Sequence, residues 1–295
     1  MHHKLTRDRI VYSLSREHRP ALEIDSGDTV VLETFDARTG SILSDSDLLD
    51  VPHPDGANPA TGPIAVRGAV SGDHLAVTID TISLAPSGFL AVKKNTGLLA
   101  DRAGHFTTRV VQVQDGAVRF SDTLTLPARP MIGVIGTAPA GPGVETLYPG
   151  PHGGNMDNRY VSEGATVHLP VTVPGAGLAI GDVHAAMGDG EITMVGLEIC
   201  AEVTVTVCLV KDDPVSRPWI ETPDVWVTTG DHADTTEALR MAADQMVDLL
   251  QRKVGVGFND AYMMMSAAGD VQICQLCGPG TFPVTTRAVF PRIEA

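Results

Sequence analysis

Between residues 148 and 198 the sequence places polar side chains two residues apart, three times over. Asn155 and Asp157 follow the double glycine Gly153-Gly154. Asp182 and His184 follow Gly181, and Asp189 and Glu191 flank Gly190, with Glu198 opening the next apolar stretch. In extended backbone, residues i and i+2 project to one face, so each pair would present two polar groups together. An imidazole among carboxylates suits zinc or another divalent transition ion, whereas the oxygen-rich remainder suits calcium. Each pair also has a plain structural reading, because Gly-Asp and Asp-Gly form turns and Asn155 can cap one. What marks the segment as a candidate metal site is the clustering, together with His184 lying between the apolar Val183 and Ala185. Spacing alone names no reaction.

Other chemistries lose support. The sequence has no GxSxG nucleophile elbow, no Walker A loop, no HExxH and no GxGxxG opening a helix after a strand. Lys and Arg total 21 against 36 Asp and Glu, a net charge of −15, which disfavours a nucleic-acid partner because phosphate neutralisation needs basic patches. No apolar run is long enough to span a membrane as a helix, so no membrane partner is expected. The start, Met1-His2-His3-Lys4-Leu5, lacks the apolar core of a signal peptide, and a cytoplasmic location is expected. Cys200, Cys208, Cys274 and Cys277 sit among Val, Ile and Leu, as ordinary buried thiols do; the CxxC at 274–277 has no second pair to complete a zinc ribbon.

The elements that must hold these groups read mostly as strands. Gly27-Asp28, Gly72-Asp73, Gly181-Asp182 and Gly269-Asp270 each precede an apolar run, and Gly-Asp is turn chemistry that starts a strand. Residues 198–210 alternate over a long stretch, with Val203, Val205, Val207 and Leu209 on one face. Two helices are expected late. One is capped by Asp234 with Glu237 three residues on, carries Leu239, Ala242, Ala243, Met246, Leu249 and Leu250 on its apolar face, and is stopped by Gly255. A shorter one runs from about 260 to 268, with Met263-Met264-Met265 as core filler. Loops concentrate at 50–63, 85–105 and 137–160. The expected class is mainly β (α+β): two intimately packed sandwich- or barrel-like lobes with a late helical segment. The chain is read as a single unit over 1–295, with lobes divided roughly at 1–140 and 141–295.

Longer motifs carry a resemblance. Pro149-Gly150-Pro151-His152-Gly153-Gly154-Asn155-Met156-Asp157, the run from Gly181 to Glu191, and Gly196-Leu197-Glu198 resemble the signatures of the acetamidase/formamidase family. Glu33-Thr34-Phe35-Asp36, the turn from Asn58 to Ile64, and Asp260-Ala261-Tyr262 with Ser266, Gly269 and Asp270 agree with it, so the likeness spans about residues 20–290 in order. Cys277-Gly278 and Ala103-Gly104-His105-Phe106 depart from the family pattern. The resemblance implies hydrolysis of short aliphatic amides such as formamide and acetamide to a carboxylic acid and ammonia. An unactivated amide needs its carbonyl polarised and an activated water, and a divalent metal meets both needs; zinc is expected first and calcium second, held by Asp157, Asp182, His184 and Glu198, with Asn155 adding an amide oxygen. Glu191 by preference, or Asp36, would take the proton of water and pass it to departing ammonia, and His152 would steady the oxyanion. The expected partners are the amide substrate and copies of the chain itself, in a dimer or larger assembly. Two other readings remain open on the same residues: another C–N or ester substrate, and a non-catalytic β-protein that uses metal for stability.

Overall fold

Alternation decides the position of the Glu198–Val210 strand. Val203, Val205 and Val207 are fully buried, while Glu202, Thr204, Thr206 and Cys208 face wholly or partly outward. β-branched side chains suit a pleated surface packed on one face. The strand runs antiparallel between Asp28–Thr34, with Val203 opposite Leu32, and the long strand His74–Val92, with Val203 opposite Ile82. The computed structural model describes residues 1–52, 56–277 and 282–293, so parts of the loop at 50–63 and the glycine at 278 lie outside the described residues.

Nineteen strands among the described residues join one hydrogen-bonded sheet system, and two helices follow late in the chain. The class is mainly β with a late helical segment, as expected. The largest apolar core draws its members from Leu5 through to Val289. It is built from Val, Leu, Ile and Ala together with Met156, in keeping with a composition only 4% aromatic. No helix of the described residues is long and apolar enough to cross a membrane.

Three of the four Gly-Asp pairs do start strands. Gly27 and Gly72 are left-handed, at φ 89° and 99°, as turn glycines require, and the strands Asp28–Thr34 and His74–Val92 follow. Gly269-Asp270 opens the strand Asp270–Gln275. The fourth departs from that reading. The strand containing Gly181-Asp182 already begins at Leu178 and runs to His184, and Asp182 sits inside it with φ 55°.

Helix α1, Thr235–Val254, begins where Asp234 accepts the Glu237 amide and ends on left-handed Gly255, whose N–H returns to the Gln251 carbonyl. Ala242, Met246, Leu249 and Leu250 pack against Trp219, Trp226 and Phe290 in a second, smaller core. Helix α2, Phe258–Ala268, starts two residues before the expected boundary, with Gly257 at its N-cap. Of its three consecutive methionines only Met265 is buried, and Met263 is 61% exposed. Residues 100° apart around a helix cannot all face one core. Cys208 is likewise exposed, lying on the polar face of its strand.

The helices lie against an antiparallel ribbon in which Val284–Pro291 pairs with Val225–His232 on one side and Asp270–Gln275 on the other. One short link ties this ribbon to the segment at 189–191. The Gly190 N–H donates to the Cys274 carbonyl at 2.8 Å, and the Leu276 N–H donates to the Gly190 carbonyl at 2.7 Å.

Candidate active site

Strand pairing brings the first polar groups together. Leu178–His184 runs antiparallel to Met131–Gly136, with Met131 opposite His184, and His184 is also opposite Glu198 at the start of the central strand. Gly153–Asn155 adds to the other part of Met131–Gly136, with Val134 opposite Asn155. Asn155, Asp157, Asp182, His184 and Glu198 are thereby buried in one region.

Their side chains converge. His184 Nε2 is 3.2 Å from Glu198 Oε1 and 3.7 Å from Asp182 Oδ1, and His184 Nδ1 is 4.0 Å from Asp157 Oδ1. Asp182, His184 and Glu198 form one compact group of donor atoms, and Asp157, His184 and Glu191 form a second that shares the imidazole. Glu191 reaches this region through the ribbon link at Gly190, which also delivers Gln275. Gln275 Nε2 donates to Asp157 Oδ2 at 2.5 Å and to Glu191 Oε2 at 2.6 Å. Asn58 Nδ2 donates to Asp182 Oδ2 at 2.9 Å.

Backbone conformation and small residues shape the cluster. Asp157, Asp182 and Glu191 all have positive φ, at 44°, 55° and 41°. Such conformations cost non-glycine residues of order 1 kcal/mol or more each and concentrate at functional sites. Gly133 makes room for two of them: a Cβ there would stand 2.6 Å from Asp182 Oδ2 and 2.7 Å from Asp157 Oδ1. Gly196 does the same for the imidazole, since its Cβ would lie 2.5 Å from His184 Nδ1.

The electrostatics are those of like charges crowded out of water. Burial first, then Glu191 and Asp182, push the Asp157 pKa well above the usual carboxylate range. Asp182 is pushed up to about 6, chiefly by burial and by Glu198. Burial also raises the Glu191 pKa, with His184 and the Gln275 hydrogen bond opposing it. For His184, burial favours the neutral ring, but Glu198 and Asp182 outweigh it and raise the pKa. Asp157 Oδ1, Asp182 Oδ1, Glu198 Oε2 and both His184 nitrogens are buried without a hydrogen-bond partner. Buried polar atoms are normally satisfied, so a converging set of orphans, mostly anionic oxygens with one imidazole, fits a divalent cation.

A cavity of about 70 Å³ opens onto this cluster. Asn155, Asp157, Glu191 and Glu198 form its polar floor with Gln275, and Leu49, Phe89 and Val195 form an apolar wall. Cys277 lines it as well, its Sγ 3.4 Å from Glu191 Oε2. Two basic side chains, Arg38 and Lys93, also line it.

Not every residue singled out from sequence reaches the cavity. Asp36 is buried, but its Oδ1 accepts the backbone N–H groups of Arg38 and Gly40, at 2.8 and 3.0 Å, and it shapes a turn next to the cavity without lining it. His152 lies over the backbone of Gly150 and Gly154, also outside the lining; burial and then Arg217 lower its pKa to about 4. Asp189 turns away from its pair partner Glu191 and holds the buried Arg287 at 2.5 and 2.9 Å and Arg159 at 2.7 Å. Sequence reading missed Asn58, Lys93, Arg38, Gly133 and Gln275. For Asn58 a signal existed, since it opens the Asn58–Ile64 turn of the family resemblance. The others arrive through long-range pairing that leaves no local pattern.

Comparison with known proteins finds relatives in both sequence and fold. The model of the Acetamidase/Formamidase family matches residues 14–142 and 140–278. A crystal structure of an acetamidase from Bacillus halodurans superposes with a TM-score of 0.94 at 35% identity, covering 98% of this chain and 97% of that one. That of a recombinant predicted acetamidase/formamidase from Thermoanaerobacter tengcongensis also gives 0.94, at 37% identity over 99% and 96% of the two chains. A putative formamidase of Schizosaccharomyces pombe is 28% identical over 255 residues, which is 65% of this chain and 62% of that protein, so the match spans less than two thirds of the relative's length.

Proposed function

The chain belongs to the acetamidase/formamidase family, and from that membership we propose that it is a metal-dependent amidohydrolase releasing ammonia from short aliphatic amides such as formamide and acetamide. The observation that carries the metal dependence is the converging set of buried, unpartnered oxygens and nitrogens of Asp157, Asp182, His184 and Glu198, of which Asp157 and Glu198 also line a small cavity. These four would hold the ion, with Asn155 beside them; the mixed imidazole and carboxylate set favours zinc over calcium. When bound, a divalent ion would polarise the amide carbonyl and bring the acidity of a water towards neutral pH.

The chain's own groups supply the rest. Glu191, with its pKa raised by burial, takes the proton of the attacking water and returns it to the departing nitrogen. Gln275 holds the Glu191 carboxylate at a set orientation by donating to Oε2 while its other contact fixes Asp157. Asn58 restrains Asp182 in the same way. Phe89 and Val195 keep water from the acyl side of the substrate. Asp36 serves by fixing the turn at Arg38, and His152 by packing on the backbone of Gly150 and Gly154. We place the enzyme in the cytoplasm, as a homo-oligomer and as one functional unit over its length.

The test combines metal analysis with ammonia release from formamide up to butyramide. Purified protein should carry close to stoichiometric metal, and chelation should abolish turnover until metal is restored. The variant combining Asp182→Ala and His184→Ala should lose both metal and activity. Ammonia release at the parental rate by that metal-free variant would overturn the metal dependence, and no release from any amide by metal-loaded parent would overturn the amidase reading.

A further inference from the structure

Arg38 and Lys93 stand out in a chain with 36 acidic and 21 basic residues, where a cation has many carboxylates to choose from. Both line the cavity, and neither forms an ion pair among the described residues. Arg38 Nη2 donates to the Val51 carbonyl at 2.8 Å, while its Nε is buried without an acceptor. Lys93 makes no hydrogen bond among the described residues. The two are close enough to repel: burial, and after it Arg38, disfavour the Lys93 ammonium, with Glu198 opposing.

Their positions are built in. Asp36 Oδ1 accepts the Arg38 amide, fixing the turn that aims the guanidinium. Lys93 directly follows the strand His74–Val92, whose last residue, Val92, pairs with Thr107. Glu191 takes its hydrogen bond from Gln275 and Glu198 faces His184, so neither pairs directly with Arg38 or Lys93 among the described residues, although Glu198 favours the Lys93 charge. Leu49, Phe89 and Val195 supply apolar wall in the same cavity. The cavity thus offers a polar floor for an amide, an apolar wall for a short carbon chain and a cationic edge for an anion.

We propose that Arg38 and Lys93 form a carboxylate-binding edge, and that the amides this enzyme hydrolyses best are monoamides of short dicarboxylic acids, such as malonamate or succinamate. This rests on the amidohydrolase reading for the reaction, though the anion site stands on its own geometry. Water adds across the amide C–N bond, and the products are the dicarboxylate and ammonia. A carboxylate received by a guanidinium and an ammonium forms charge-assisted hydrogen bonds, each worth roughly 10- to 100-fold in binding.

The test compares malonamate with the neutral, similarly sized propionamide on parent enzyme, Lys93→Met and Arg38→Met, alongside calorimetric binding of malonate to each. The parent should prefer malonamate by at least 10-fold in kcat/KM. Either substitution should erase that preference while leaving propionamide turnover within a few-fold, and malonate binding should weaken in parallel. Equal rates on both amides in the parent, or malonate binding unaltered by both substitutions, would overturn the proposal and leave the amidase reading intact. If no amide is hydrolysed yet malonate binds the parent and fails to bind Lys93→Met, the anion edge is upheld and the amidase reading fails.

Discussion

Gln275 Nε2 lies 2.6 Å from Glu191 Oε2, across 84 residues of sequence, and both side chains are buried. A neutral donor on this carboxylate holds the group in place without adding a counter-charge that would suppress its basicity. Replacing Gln275 with Met keeps the volume but removes the donor. The expected result is a fall in kcat of roughly 10- to 100-fold, the usual weight of a hydrogen bond to a charged group, with metal content unchanged. Metal analysis with steady-state kinetics checks it; parental kcat would show that Glu191 needs no such restraint.

Glu191→Gln asks a different question of the same pair. It preserves shape and removes the ionisable proton, so bound metal and thermal midpoint should change little while turnover drops by about 100-fold or more. If turnover survives, another group carries the proton.

Gly133→Ala tests the packing beneath the two aspartates. The added methyl would press on Asp182 Oδ2 and Asp157 Oδ1, and neither carboxylate can retreat, because each is held by an amide from Asn58 or Gln275. Overpacking of this kind costs about 1–3 kcal/mol. The variant should fold with a lowered melting temperature and bind the ion at least 10-fold more weakly, as read by competition with a chromogenic chelator. Unaltered affinity would mean that the aspartates are not ligands.

Acid should unfold the protein in part through His168. Its ring stacks on Trp219 at 3.8 Å, Nδ1 lies 3.1 Å from His74 Nε2, and Nε2 faces Glu221 at 3.6 Å. Burial, then His74 and Lys253, lower its pKa to about 3. The unfolded chain, with an ordinary imidazole near 6.5, therefore takes up the proton first as pH falls. The stability contributed is full above about 6.5 and is lost progressively towards 3. His168→Gln should lower the melting temperature at pH 8 through lost stacking, yet narrow the drop between pH 7 and pH 4.5. Parallel melting curves for parent and variant across that range would assign acid sensitivity elsewhere.

The parts of this molecule visible in its sequence are those set by local chemistry. Asp234, Glu237 and Gly255 delimit α1, and the parity of Val203, Val205 and Val207 fixes the buried face of the central strand. The segment 155–198 was legible as a cluster because its residues are near neighbours in sequence and Asn155, Asp182, His184 and Glu198 lie on adjoining strands. Lys93 and Gln275 are single polar residues whose significance depends on what a distant strand places opposite them. The positive φ of Asp182 was hidden for another reason: Gly181-Asp182 reads as a turn, and only the pairing of Leu178–His184 with strands on both sides shows it to be strand interior. Even the alternation rule misjudges Asp189, which an ion pair with Arg287 draws away from Glu191.

The two backbone hydrogen bonds between Gly190 and the Cys274–Leu276 segment have a consequence for the growing chain. Synthesis runs from the N-terminus, and the carboxylates and imidazole of 155–198, with the strands that flank them, emerge before helix α1 exists. Gln275 arrives about eighty residues after Glu191, so closing that long loop is a late event. If the proposed metal and proton roles hold, a nascent chain would gather the ion on the ribosome while still inert, and would gain the Glu191–Gln275 pair only when the last ribbon docks.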